Sequence, residues 1–170
     1  FEKKKNANQS ISDLIKIVAQ LRDPSTGCPW DKEQTHDSLI PYVLEEAHEV
    51  ADAIREGSKN DLKEELGDLL LQIVLHAQIA NEEKQFCISD VATGITEKLI
   101  RRHPHVFQNK KINSIDEVKQ SWEEIKSKEK SIIPSKTPIS DRLKSKIRSQ
   151  PAINSALTIS KTVTKAGFKW

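Results

Sequence analysis

The sequence predicts an all-α fold, and three observations carry that reading. Apolar residues recur at intervals of three and four, the spacing of one helix face, through most of the chain. The periodic stretches are rich in Leu, Ile, Ala, Glu and Lys, which favour helix, and only five glycines interrupt 170 residues. No run alternates apolar and polar residues over the length of a strand, and there is no internal repeat.

The elements follow in order. Residues 1–9 are polar and lysine-rich and read as the body of a frayed tail over 1–10. A first helix is expected from Ile11 to Arg22, with Leu14, Ile15, Val18 and Leu21 on one face. The segment LRDPSTGCPW, with two prolines and a glycine, enforces an irregular loop. Asp31 to Ser38 continue that loop or wind into a short helix. A second helix is expected from Pro41, acceptable in a first turn, to Glu56, with Gly57 as its stop. Its stripe is Val43, Leu44, Ala47, Val50, Ala51 and Ile54.

Asn60 is the expected N-cap of a third helix, Asp61 to Glu82. Its main face carries Leu62, Leu66, Leu69, Leu70 and Ile73, while Leu71, Leu75 and Ile79 lie opposite. A helix apolar on both sides must be covered on both. In so small a chain, the expected second cover is another subunit. Ser89 is the expected cap of a fourth helix bearing Val91, Ala92, Ile95 and Leu99, which Pro104 ends. Ser114-Ile-Asp-Glu117 is a capping box for a fifth helix with Val118, Trp122 and Ile125. Past Lys130, a Ser/Lys-rich stretch punctuated by Pro134, Pro138 and Pro151 reads as a connector. A last amphipathic helix, Ala152 to Ala166, precedes Gly167, Phe168 and Trp170. The expected organisation is thus a tail over 1–10, a domain over 11–130, and a connector with a terminal helix over 131–170.

Charge and composition exclude several classes. Basic and acidic residues nearly cancel, 27 against 25 for a net charge of +2, which argues against stable nucleic-acid binding. Cys28 and Cys87 are too few for a disulfide framework or a zinc site and fit reduced thiols. No apolar run is long enough for a membrane span and no signal-peptide pattern opens the chain, so the expected location is cytoplasmic. The chain contains no Met, so the native start is expected upstream of Phe1.

Helical geometry at about 100° per residue singles out four acids. On the second helix Glu46 borders the apolar arc and Glu49 lies about 60° further round; on the third, Glu65 borders the stripe and Asp68 lies about 60° further round. If the two helices pack antiparallel through their stripes, four carboxylates converge in the crevice between them. Such a set suits a hard cation such as Mg²⁺, which prefers carboxylates and water and shares its shell with substrate phosphates. Glu45, Asp52 and Glu56 point away from the apolar arc and fit a solvated face. Glu45 and His48 make one Glu-x-x-His, but the di-iron bundles need two copies.

Cations and aromatics could complete the site. Lys98, Arg101 and Arg102 close the fourth helix, and Lys98 and Arg102, four apart, flank its stripe. They could grip a triphosphate or simply complement the negative helix end. Trp30, beside Lys32, and Trp122 could each stack on a base or fill the core. His76 lies on the side of Glu65, Asp68 and Gln72 and reads as a structural histidine or a support to the acids; His103 and His105 flank Pro104 in an expected loop. There is no phosphate-binding glycine loop and no Ser-His-Asp or Cys-His nucleophile pattern.

Four ordered blocks, LRDPSTGCPWDKEQTH, LEEAHEVADAI, DLKEELGDLLLQIVLHAQIA and KLIRRHPHVF, together resemble the MazG family of nucleoside triphosphate pyrophosphohydrolases. The resemblance spans residues 11–130. The final PAINSALTISKTVTKAGFKW resembles the connector that leads into a second domain in two-copy members. It implies an all-α bundle of the NTP pyrophosphatase type, a homodimer, and hydrolysis of nucleoside triphosphates to monophosphate and pyrophosphate. The family pattern E-E-x-x-E then E-x-x-D falls on Glu45, Glu46, Glu49, Glu65 and Asp68. It implies Mg²⁺ or Mn²⁺ on Glu46, Glu49, Glu65 and Asp68, with Glu45 or Glu46 orienting the attacking water. Nucleotide contacts are implied at Lys98, Arg101, Arg102 and Trp122, and more weakly at Trp30 and Lys32. The alternatives are a catalytically silent helical dimer that binds nucleotide or serves regulation, and a base-selective dUTP or dCTP pyrophosphatase.

Overall fold

The computed structural model describes residues 6–108, 114–132, 144, 152–165 and 167–168. Pro134, Pro138, Pro151, Ala166 and Trp170 lie outside the described residues, as do residues 1–5 of the expected tail. All regular structure among the described residues is helical, as expected. The helices are α1 (Ala7–Leu21), α2 (Pro29–Glu33), α3 (Ile40–Glu56), α4 (Lys59–Glu82), α5 (Ile88–Arg102), α6 (Pro104–Phe107), α7 (Ile115–Ile132) and α8 (Ala152–Lys165). They fall into two compact units, residues 1–101 and 102–170.

Several helix starts differ from the sequence reading, each because a different side chain captures a free amide. α1 begins at Ala7 rather than Ile11, since the Asn6 side chain accepts from the Gln9 N–H at 2.8 Å. α4 begins at Lys59 because Ser58, not Asn60, accepts from the Asp61 N–H. α5 begins at Ile88, ahead of the expected cap Ser89, and the Cys87 N–H donates to the Asp90 carboxylate at 2.8 Å. Pro104 ends α5 as expected but also opens the single turn α6, for which its fixed φ and missing N–H suit it. Ser114 caps α7 by accepting from the Glu117 N–H.

In the first unit, α4 is the central element, packed against α3 and α1. The core is Val18, Leu39, Val74, Leu75 and Ile79, with Leu14, Ile15, Leu70, Leu71 and Ile88 packed on it. Val18 and Leu39 are fully enclosed, a burial that contributes about 1.5–3 kcal/mol for each such side chain. This corrects the expectation about α4. Its Leu71, Leu75 and Ile79 face is covered by α1 and Leu39 of the same chain, not by another subunit. Leu66 and Ile73, on the face read as the main stripe, are instead 50% and 45% exposed.

The loop after α1 is held by Arg22 and Gly27. The buried Arg22 guanidinium donates to Glu82 on α4 and to the Asp31 and Gln34 carbonyls. A Cβ on Gly27 would lie 2.4 Å from the Leu21 carbonyl oxygen and 2.6 Å from that of Asp23, so only glycine fits.

In the second unit, Arg102 pairs with Glu129 of α7 at 2.7 Å, and His103 packs edge-on against Trp122 with centroids 5.0 Å apart. Pro104 and Ser121 are buried there.

Candidate functional site

The link between α3 and α4 is two residues long, and that length sets the site. Gly57 takes a left-handed φ of 75°, which glycine adopts without strain, and Ser58 caps the next helix at once. A link this short makes α3 and α4 antiparallel neighbours, so residues equally far from it face each other. Glu49 lies eight residues before Gly57 and Glu65 seven after Ser58. Glu46 and Asp68 are eleven before and ten after; Val43 and Gln72 are both fourteen away.

Electrostatics reproduce these levels. Glu46 and Glu65, both half-buried, are held above the usual carboxylate range, first by partial loss of water and then by neighbouring charge. The first charge acting on Glu46 is Asp68, and the first on Glu65 is Glu49. Glu49, Glu65 and Glu45 add to the effect on Glu46; Asp68, Glu64 and Asp61 add to that on Glu65. Every charge acting on these two groups is another carboxylate.

Glu46, Glu49 and Glu65 each offer a ligand atom, all within 4.8 Å of one another. Asp68 stands beside this trio, half-buried and close enough to act on both raised carboxyls. The donor set is all carboxylate oxygen, which fits a hard divalent cation and not a thiophilic one. A cation there would relieve the repulsion that raises Glu46 and Glu65. Glu45 is exposed, as a solvated-face residue should be.

The other expected residues take varied positions. Lys98 and Arg101 are exposed on α5. Arg102 is half-buried in its ion pair with Glu129, which holds its guanidinium above the ordinary value, chiefly through the hydrogen bond. Trp122 is half-buried on α7 and its indole Nε1 is enclosed without a hydrogen-bond partner among the described residues. Trp30, 51% exposed in α2, meets Tyr42 edge-on at 5.8 Å. The Lys32 ammonium donates to the Pro24 carbonyl at 3.3 Å.

Several residues near the site are not foreseeable from sequence spacing. His36, ahead of α3, stacks on His76 of α4 with Nδ1 atoms 2.7 Å apart, so one ring donates and the other accepts. Burial first, and the neighbouring His36 second, keep His76 below the ordinary histidine value. Tyr42 lies one turn before Glu46 on α3. Gln72 is buried with its Oε1 unpaired among the described residues. The α3 periodicity places Tyr42 near Glu46, but nothing local announces a partner forty residues away.

Residues 34–107 match the model of the MazG nucleotide pyrophosphohydrolase domain. Over those residues the chain is similar to a MazG domain. The match contains all four carboxylates, both imidazoles of the pair, and α5. Over 160 residues the chain is 44% identical to a nucleoside triphosphate pyrophosphohydrolase of Escherichia coli K12, covering 94% of this chain and 59% of that protein. It is 43% identical over 166 residues to a Thermotoga maritima protein named nucleoside triphosphate pyrophosphohydrolase/pyrophosphatase MazG, covering 98% and 61%. The chain thus spans about three-fifths of the length of these two relatives. A solved MazG-related protein from Thermotoga maritima superposes with a TM-score of 0.58 at 29% identity, over 68% of this chain and 98% of that one. The all-helical structure of the described residues agrees with that neighbour.

Proposed function

We propose that this chain hydrolyses nucleoside triphosphates to nucleoside monophosphate and pyrophosphate. The observation that carries the proposal is the group Glu46, Glu49 and Glu65, with Asp68 beside it, crowded between two helices of the region similar to a MazG domain. Glu46, Glu49, Glu65 and Asp68 would hold Mg²⁺, with Mn²⁺ as the alternative; when bound, the cation would neutralise the acids and polarise the phosphates.

The reaction joins a water oxygen to the α-phosphorus and breaks the bridge to the β-phosphate, releasing pyrophosphate. Glu45 or Glu46 takes the water proton. Lys98, Arg101 and Arg102, the cations of α5, are the proposed partners of the triphosphate, where positive charge stabilises what develops on the leaving group. Trp30, Lys32 and Trp122 are proposed as further nucleotide contacts.

The proposed assembly is a homodimer. Leu44 and Ile54 of α3 and Leu66 of α4 are each at least half exposed, an apolar surface that a partner would cover. No helix among the described residues is long and apolar enough to cross a membrane, and we place the protein in the cytoplasm.

The test is pyrophosphate release from each NTP and dNTP in the presence of Mg²⁺, for the natural chain and for Glu49→Ala. Release that Glu49→Ala abolishes while the helical circular dichroism signal persists supports the assignment. No release from any nucleotide favours the silent binding module. Release confined to one pyrimidine favours a base-selective enzyme.

A further inference from the structure

Beyond the acids, the groove between α3 and α4 continues into a cavity of about 260 Å³. Val43, Leu69, Ile73, Ala77, Phe86 and Val91 supply its apolar walls, joined by Gln72 and His76. By the spacing of the hairpin, its Val43/Gln72 level lies one helical turn, about 5–6 Å, beyond the Glu46/Asp68 level. The volume falls at the small end for ligand sites, enough for one heterocycle and too little for a whole nucleotide.

Two polar groups qualify these apolar walls. Gln72 is 7% exposed, and its Oε1 is buried with no hydrogen-bond partner among the described residues. An unmet buried acceptor costs stability, which a ligand N–H can recover. His76 has its Nδ1 engaged by His36 and stacks on that ring, which fixes the imidazole as part of the wall, and burial first and His36 second disfavour its charged form. An uncharged, flat, apolar ring carrying an N–H on its edge meets these conditions, and a nucleobase is such a ring.

We propose that this cavity is the nucleobase subsite and that the Gln72 carbonyl oxygen accepts a hydrogen bond from the base edge. The proposal rests on the nucleotide reading above and adds a place and a contact to it. With phosphates at the acids, the sugar spans the intervening turn and the base enters between Val43 and Phe86. Every natural base carries an amino or imino N–H on its pairing edge, so a single acceptor here tolerates all of them. Purine riboside triphosphate lacks that N–H.

The first experiment is methyl NMR of the whole chain with Mg²⁺ and α,β-methylene-ATP, which is not cleaved between its α and β phosphates. Shifts at Ala47, between the acids, together with Val43, Leu69, Ile73 and Val91 support both readings. Shifts at Ala47 without the cavity methyls, or with the Trp30 ring instead, overturn the subsite and leave the phosphate reading standing. Silence at every reporter overturns both. The second experiment compares kcat/KM for ATP and purine riboside triphosphate. The natural chain should favour ATP about five- to tenfold, the worth of one hydrogen bond to a buried group. Gln72→Leu should bring the ratio to about one, with the loss in KM for ATP. An unchanged ratio in that variant overturns the role of Gln72.

Discussion

The Arg22 guanidinium lies 2.8 Å from Glu82, sixty residues away, and the same group donates to the Asp31 and Gln34 carbonyls. One buried side chain therefore ties the end of α1, the short helix α2 bearing Trp30 and Lys32, and the end of α4. The hydrogen bond from Arg22 is the main reason Glu82 ionises more readily than an ordinary glutamate.

Arg22→Ala should lower unfolding stability by about 2–4 kcal/mol, because it strands two carbonyls and a carboxylate that the guanidinium now satisfies. Arg22→Lys should recover only part, since an ammonium cannot reproduce the planar fork. Urea unfolding of the three proteins checks both. The sign of the pH effect follows from the lowered Glu82 value: its contribution is present above the unfolded carboxylate range and is lost as pH falls from there through the lower folded value. In Arg22→Ala that acid sensitivity should shrink.

The carboxylate pairs predict the opposite slope. Glu46 and Glu65 bind protons more tightly folded than unfolded, so their effect favours the fold at low pH and fades as pH rises past the raised values. Metal-free protein should therefore gain stability from Glu49→Gln, which removes one charge that repels Glu46 and Glu65. Mg²⁺ should raise the melting temperature of the natural chain and have less effect on the variant. A Mg²⁺ response of equal size in both would remove Glu49 from the ligand set.

His36 and His76 predict a third pH effect. His76 resists protonation in the fold, mainly through burial, so the unfolded chain takes up the proton first as pH falls below the ordinary histidine value. Stability should decline between about pH 7 and 6, and less steeply in His76→Gln, which cannot charge. Denaturation midpoints at the two pH values measure the difference.

How legible the site was depends on the distance between partners. The Glu-x-x-Glu and Glu-x-x-Asp spacings place each acid on its helix, and the Gly57-Ser58 link, shorter than the turn up to Asn60 that the sequence suggests, brings the pairs face to face. The face of α4 that forms the core was not legible, because its cover is Val18 of α1 and Leu39 ahead of α3. Periodicity shows that a helix is apolar on two sides but not which neighbour covers which. The same holds for Arg22 with Glu82, His36 with His76, and the orphaned Gln72, whose roles arise only when distant segments meet. Helix starts are less legible: Ser58 rather than Asn60 accepts from the Asp61 N–H, and Asn6 starts α1 four residues ahead of Ile11.

The exposed apolar side chains of α3 and α4 carry the last prediction. Leu66 is 50% exposed and Ile54 60% exposed, although both belong to helices whose other faces are packed. A homodimer would remove these side chains from water at roughly 25 cal/mol per Å² of apolar surface. Leu66→Glu leaves the enclosed core of Val18, Leu39 and Val74 untouched while placing a charge on that surface. Light scattering with size exclusion should report twice the chain mass for the natural protein and the chain mass for Leu66→Glu, with unchanged helical content. A natural chain that runs as a monomer at tens of micromolar would show that these side chains serve some contact other than self-association.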